Sequence, residues 1–403
     1  MKAVAALSCV IVAARVTLQQ GLTAGIVLSV LLLPVWITVL WRQRGGSMIL
    51  GLGVLALVSG FVLTSFASSD HEVSDSLLQM TTFSLVTLLG GIGVVLWARS
   101  ILGPAMTALW YGTGLLISVA THGLDPVNIW KFDLSVPVIV ITLAIAMLSH
   151  RLWIELPLLV LLAIVCALND SRSAGSMLLV AAVLVTWQSV AGRLSGGSTT
   201  VRTLSVFGFV AVIGYFSLQA FILEGWFGTA AATRSEEQIA QSGSLLLGGR
   251  PEIGASTELI AANPFGFGAG TLANGTDLLV AKTGMARLNY DPNNGYVQKY
   301  MFGEGFEVHS VLGDLWLRFG LFGAAMLIVM LVAVALGTAN QVSRRNATGL
   351  TIFLTIQIFW DSFFAPLFST SISTAVLAVA LVLAPRASAL DRTIESEFVS
   401  FGR

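Results

Sequence analysis

Apolar residues gather into twelve runs that approach or reach the roughly 20 residues a helix needs to cross a bilayer. They cover about 3–19, 22–41, 48–67, 77–97, 101–120, 134–149, 152–168, 174–191, 202–223, 309–337, 347–366 and 368–385. Few polar residues separate most of them. The exception is 224–308, the only long polar interruption. This pattern predicts an all-α integral membrane protein of about 12 transmembrane helices. Nine spans fill 1–223, a large partly helical loop fills 224–308, three more spans fill 309–386, and 387–403 forms a tail. The short pair 134–149 and 152–168 admits two geometries, tilted helices or a partly re-entrant hairpin.

Composition agrees with the pattern. Only 10% of the 403 residues are charged, against about 25% in a soluble domain, and the mean hydropathy is +0.87. The formal net charge of zero gives no sign of a nucleic-acid partner. Cys9 and Cys166 both lie in apolar runs and suggest neither a disulfide nor a metal site. The first apolar run leads straight into the second, so no cleavable signal peptide is expected.

Basic residues set the expected orientation. With the N-terminus inside, the cytoplasmic segments carry Arg42, Arg44, Arg99, Arg151, Arg193, Arg202, Arg344, Arg345, Arg386 and Arg392. The short outer loops carry only Lys131 and Arg172, and the outer stretch 68–76 is acidic. Both termini are therefore expected in the cytoplasm, and 224–308 outside.

The outer segment has local order of its own. Pro251 suits the first position of a helix, which leaves Arg250 at or beside the N-cap. Residues 251–262 read as a short helix with Ile253, Leu259 and Ile260 as its apolar side, and Asn263-Pro264 ends it. A glycine-rich turn (Gly266, Gly268, Gly270) follows, and a second turn lies at Asp291-Pro-Asn-Asn-Gly295. Two or three helices across the mouth of the bundle are expected.

By this topology Arg172, Arg250 and His309 lie at one depth on the outer face. Each admits two readings. The arginines either cap helix ends and meet lipid phosphate, or they bind a ligand anion. His309 either starts its helix or takes part in chemistry. The glycines follow no strand, which removes a dinucleotide-binding reading and leaves a close-approach turn. Within the spans, Asp314 and Arg318 are four apart and suited to pair with each other. Asp361 lies one turn after Gln357, with pairing and catalysis both open, and Arg15 is expected to snorkel outward. No outer loop holds Asp-x-Asp, and neither metal-spaced His/Cys clusters nor a Walker loop nor a nucleophile signature occurs. No metal or cofactor is expected.

Four places in the chain resemble the O-antigen ligase and O-antigen polymerase family of bacterial membrane glycosyltransferases. Ser171-Arg172-Ser173-Ala174 is similar to its Ser-Arg-small-Ala at an outer helix end. Gly249-Arg250, followed by Pro264-Phe-Gly266-Phe-Gly268, resembles its Gly-Arg…Pro-x-x-Gly-x-Gly segment. His309, with Gly320 and Gly323 after it, resembles its His-Asn…Gly-x-x-Gly helix start, although Ser310 stands where the family usually has Asn. The twelve-span plan with one large outer loop is similar too. The aromatic residue often found a turn after the loop arginine is missing here, at Ile253-Gly254.

The resemblance implies a GT-C-like fold in the bacterial inner (cytoplasmic) membrane. It implies metal-independent, inverting transfer of a glycan from undecaprenyl pyrophosphate to an acceptor hydroxyl at the outer face. The expected partners are that lipid-linked oligosaccharide, a glycan or glycolipid acceptor, and membrane lipids. Arg172 and Arg250 would hold the pyrophosphate and His309 would act on the acceptor hydroxyl. Gly266, Gly268, Asp314, Arg318 and Asp361 would support them. A pyrophosphate leaving group gains negative charge, and an arginine fork suits it. Polymerase and ligase remain open, and a polysaccharide or lipid transporter is the alternative of another class.

Overall fold

The computed structural model describes residues 1–19, 21–194, 205, 208, 233, 236, 239, 250–303 and 305–386, with the side chains of 190–194 excepted. Almost all of the predicted ninth span, the first part of the outer loop, Gly249 and the 387–403 tail lie outside the described residues.

The described chain is mostly helical. Helix α1 (Lys2–Ala14) ends at Arg15, which is left-handed (φ 48), and a short antiparallel hairpin of β1 (Thr17–Gln19) and β2 (Leu22–Thr23) follows. The run expected at 3–19 is thus helical only to residue 14. Arg15 does not snorkel; its guanidinium donates to the Ser369 carbonyl at 3.0 Å. The second run is two helices, α2 (Ala24–Leu31) and α3 (Leu33–Trp41), bent by 77°. Pro34, at the start of α3, supplies the cause: it lacks a donor and its ring clashes with the preceding turn.

Helices α4 (Gly46–Ala67), α5 (Asp75–Leu102), α6 (Pro104–His122), α7 (Ser135–Ser149), α8 (Leu152–Leu168) and α9 (Arg172–Leu194) come next. A π-helical turn at Trp130–Leu134 leads straight into α7, so that run is one continuous helix from residue 130. After the undescribed stretch come α10 (Glu252–Ala262), α11 (Gly275–Ala286), α12 (Val311–Ser343), α13 (Gly349–Phe364) and α14 (Ser371–Val382). Side-chain caps start several of them. Ser74 accepts from the Leu77 amide, and Asn274 with Asp277, like Thr348 with Thr351, forms a reciprocal capping box.

Among the described residues, four helices (α4, α5, the 130–149 unit and α12) are long and apolar enough to cross a membrane, or five if the bent α2–α3 pair is one span. Helices α1, α8, α13 and α14 are apolar but shorter. On α12, Ile328, Val332 and Leu336 form an i, i+4, i+8 stripe at 50%, 52% and 49% exposure. A stripe of that kind is poorly suited to water and well suited to acyl chains.

Helix α5 is the hub of the bundle, packed against α1, α2, α3 and α14. A second, smaller core lies outside the bundle. Ala255, Leu259, Ala281 and Met285 from α10 and α11 meet Phe267, Phe302 and Phe306 there. The α4–α5 loop is laced to this layer, with the Ser74 amide donating to Gly270 and the Leu272 amide to Glu72.

Hydrogen bonds fix which helix ends lie together. The Arg99 guanidinium donates to the Leu381 and Leu383 carbonyls, the Arg386 amide to Arg42, and the Arg44 amide to Ala384. The Glu155 carboxylate, one turn after Arg151, accepts from the Gly349 amide. Arg42, Arg44, Arg99, Arg151, Arg344 and Arg386 therefore share one end of the bundle, and α10 and α11 sit at the other.

Candidate active site

His309 stands just before α12. Its N-cap, Ser310, accepts from the Gly313 amide and donates to the Ser362 carbonyl at 2.9 Å, which anchors the start of α12 to the end of α13. His309 itself is left-handed (φ 50), a conformation costing a non-glycine residue about 1–2 kcal/mol. Strain of this kind persists only where the surroundings dictate it.

Two buried side chains hold the residues that lead into it. Asp314 is fully buried, and its two carboxylate oxygens accept from the amides of Val308 (2.7 Å) and Leu367 (2.8 Å). Arg318 donates to the Phe306 carbonyl through Nε (2.8 Å) and Nη2 (2.5 Å), and to Thr81 through Nη1 (3.0 Å). Its guanidinium also lies 4.4 Å from the Phe368 ring centroid. Asp314 and Arg318, expected to pair at i, i+4, stay within Coulombic reach of each other, but their hydrogen bonds go to two backbone clamps and Thr81. The residues before His309 belong to no helix, so their buried amides and carbonyls need partners, and these side chains supply them.

The imidazole Nδ1 lies 2.9 Å from the Tyr296 hydroxyl and 3.7 Å from Glu252 Oε1. The Tyr296 hydroxyl donates to the same Glu252 oxygen at 2.5 Å. Glu252 opens α10, which starts one residue later than Pro251; Pro251 is its N-cap. Tyr296 follows the predicted Asp291–Gly295 turn. There Asn293 donates to Asp291, the Tyr296 amide donates to Asn294, and Gly295 is left-handed. The Glu252 side chain is only 9% exposed and that of His309 is 20% exposed, so the acid is sealed behind a ring that can still be reached. Among the described residues, Glu252 Oε2 has no hydrogen-bond partner.

The charges are coupled. Burial alone would lower the His309 pKa, but the hydrogen-bonded and Coulombic pull of Glu252, with Glu307 and Asp314 adding to it, leaves it above the ordinary histidine value. Burial likewise works against the Glu252 carboxylate, yet His309 and Tyr296 hold it below its usual range. Burial, and then the Glu252 charge, raise the Tyr296 phenol.

Arg250 lies two residues before Glu252. Its guanidinium is 6.0 Å from the Trp360 ring centroid, within electrostatic reach of Tyr296 and Asp361. Among the described residues it donates no hydrogen bond. Asp361 is engaged, accepting from Gln357 (2.6 Å) and Thr374 (3.0 Å).

Arg172 opens α9 and is held by Asp170 through Nε (3.1 Å) and Nη2 (3.0 Å); Lys131 shares that carboxylate at 3.5 Å. Gln188, late in α9, donates to the Ala347 carbonyl just ahead of α13. The two helices thus run antiparallel, and Arg172 shares an end of the bundle with Trp360 and Arg250. No contact among the described residues joins Arg172 to the His309 group.

The glycine-rich turn packs against α12 rather than facing a ligand. The Phe267 and Gly268 amides both donate to the Leu317 carbonyl (2.6 and 3.1 Å), just ahead of a kink at Gly320 (φ 65). Gly266 and Gly268 have φ of +89° and +109°; a Cβ on the first would press on the Trp316 carbonyl and on the second would strike the Thr64 backbone. These two amides are not available to cradle a phosphate.

Glu252 and Tyr296 were not identified from the sequence. Glu252 carried only the signal of an acid in a first helical turn, and Tyr296 none beyond its place after a turn. Among the described residues, no three His, Cys, Asp or Glu side chains converge as metal ligands. No model of a known protein family, no curated protein and no solved structure matches this chain.

Proposed function

We propose that this chain is a membrane glycosyltransferase that moves a glycan from undecaprenyl pyrophosphate to an acceptor hydroxyl. The observation that carries the reading is a strained, reachable His309 backed by the buried Glu252 carboxylate, with Arg250, which donates no hydrogen bond to the described residues, two residues before that carboxylate. A base and an arginine that share the Glu252–Tyr296 group suit displacement of a phosphate leaving group.

In the proposed step the acceptor oxygen attacks the anomeric carbon and a new C–O bond forms with inversion. The C–O bond to the pyrophosphate breaks and its electron pair leaves with the lipid. The acceptor proton passes to His309, and Arg250 offsets the charge that grows on the pyrophosphate. Arg172, at the same end of the bundle, would take the far phosphate after exchanging its bond to Asp170.

The arginine-rich end would face the cytoplasm with both termini, and the site would face outward, following the positive-inside rule. A twelve-span plan accommodates this orientation. The favoured form is a polysaccharide polymerase, whose acceptor is a second lipid-linked glycan. A ligase would use a lipid A core instead. Transport is disfavoured because the ionisable groups gather at the two ends of the bundle rather than at its middle, and the bent α2–α3 junction, Leu31 to Leu33, carries none.

The test is transfer from lipid-linked oligosaccharide by purified protein in detergent, without a sealed membrane. His309→Ala is expected to lower turnover about 10²–10⁴-fold while donor still binds. Turnover within a few-fold of wild type in a stable His309→Ala protein sinks the reading.

A further inference from the structure

The hydrogen bonds around Tyr296 leave only one consistent placement of protons. The Glu252 carboxylate, which His309 and Tyr296 hold below its usual range, only accepts when ionised, and the 2.5 Å contact then has the Tyr296 hydroxyl donating to it. The phenol oxygen has then spent its single proton. At 2.9 Å from His309 Nδ1 it can only accept, which places a proton on Nδ1. The lone pair of the neutral ring is left on Nε2, on the side away from Glu252. From this arrangement we infer that Glu252 and Tyr296 are positioning residues that hold His309 as its Nδ1–H tautomer, with Nε2 as the atom that takes a proton.

The same chain of contacts serves the charged ring. When Nε2 gains a proton, the imidazolium is stabilised by Glu252 through the Tyr296 hydroxyl, and neither partner changes its own protonation. Buried carboxylates behind catalytic histidines orient and stabilise rings in this way. Here a phenol is interposed, which keeps the carboxylate 3.7 Å from the ring. The backbone clamps of Asp314 and Arg318 fix the third side, because they hold residues 306 and 308 immediately before the histidine. The charged groups facing His309 are Glu252 on α10, Glu307 beside it and Asp314 on α12, with Arg250 acting on Tyr296.

The use of this proton rests on the transferase reading; the tautomer does not. Full-length protein labelled with ¹⁵N-histidine in phospholipid bilayers gives a pair of ring-nitrogen signals for each of the four histidines by solid-state NMR, and His309→Gln identifies the relevant pair. At a pH where His309 is neutral, wild type should show Nδ1 protonated and Nε2 bare. Tyr296→Phe should shift the population toward Nε2–H, the form favoured without an acceptor at Nδ1. Glu252→Gln should move the His309 titration down from its raised position. A neutral wild-type ring protonated on Nε2 overturns the inference, and this holds even if neither variant folds. So does a His309 titration unmoved in a folded Glu252→Gln protein.

In the transfer assay, Tyr296→Phe should lower kcat by about 10–100-fold, the range for losing a partner that orients a histidine, with KM for the donor little changed. Confirmed NMR signatures without any transfer activity would uphold the tautomer and refute the transferase. Transfer activity with the opposite tautomer would do the reverse.

Discussion

The Asp314 clamp offers the sharpest energetic test, because each carboxylate oxygen satisfies one buried amide. Asp314→Ala leaves the Val308 and Leu367 amides with no acceptor. An orphaned buried donor costs about 1–3 kcal/mol, so the pair amounts to about 2–6 kcal/mol. Asp314→Asn keeps the shape but offers one oxygen and one NH₂ group. It can satisfy one amide and must face the other donor to donor, so it should lose about half as much. The ratio is more informative than either value, since both variants share the same fold and detergent. Thermal unfolding of wild type and both variants, followed by tryptophan fluorescence and checked for scan-rate dependence, gives the order wild type, Asn, Ala. The His309 ring signal gives the second readout, because residue 308 is one of the two positions released. If Ala is no worse than Asn, or both lie within about 0.5 kcal/mol of wild type, the two-amide clamp is wrong.

Three other outcomes are expected. Donor binding should fall from wild type to Arg250→Lys and further to Arg250→Ala, since lysine keeps the charge without the fork; equal affinities for all three remove Arg250 from the phosphate site. A cysteine near Asn274 should react with an impermeant reagent applied outside cells and one near Asn346 should not, with Cys9 and Cys166 both buried; the reverse labelling inverts the orientation. Burial opposes the charged form of His71, but Asp70 (2.8 Å) and Asp277 (2.9 Å) prevail and raise its pKa. Its contribution to stability is therefore present in full below the ordinary histidine pKa of about 6.5 and is lost as pH rises through the raised one. His71→Gln should abolish that alkaline loss, and a stability profile identical to wild type would remove the clamp between the α4–α5 loop and α11.

Helical runs were legible because apolar periodicity is a local signal, and the arginine-rich end because each arginine adjoins a span. The bend at Leu32 was available in Pro34 yet was masked by an unbroken apolar run. Asp314 and Arg318 are Coulombic partners yet share no hydrogen bond, for a physical reason: spacing on a helix says two side chains can meet, not that nothing else needs them more. The Phe306 carbonyl and Val308 amide needed them more. Glu252, Tyr296 and His309 come from three separate segments with no shared period, so their convergence is a product of the second core. Arg250 and His309 were found through motif spacing, whereas the carboxylate that supports the histidine had none.

Helix α5 adds a constraint on the order of assembly. It is made early, yet among the described residues Arg99 at its end finds its acceptors on Leu381 and Leu383, nearly three hundred residues later. A ribosome releases the hub well before the helix that seals it. Until α14 arrives, the Arg99 guanidinium and the flank of α5 that meets α14 lack the partners they have in the finished fold. Chains ending before residue 371 should therefore behave as unfinished at their centre rather than merely short at their edge, which makes the arrival of α14 the step that closes the flank of α5.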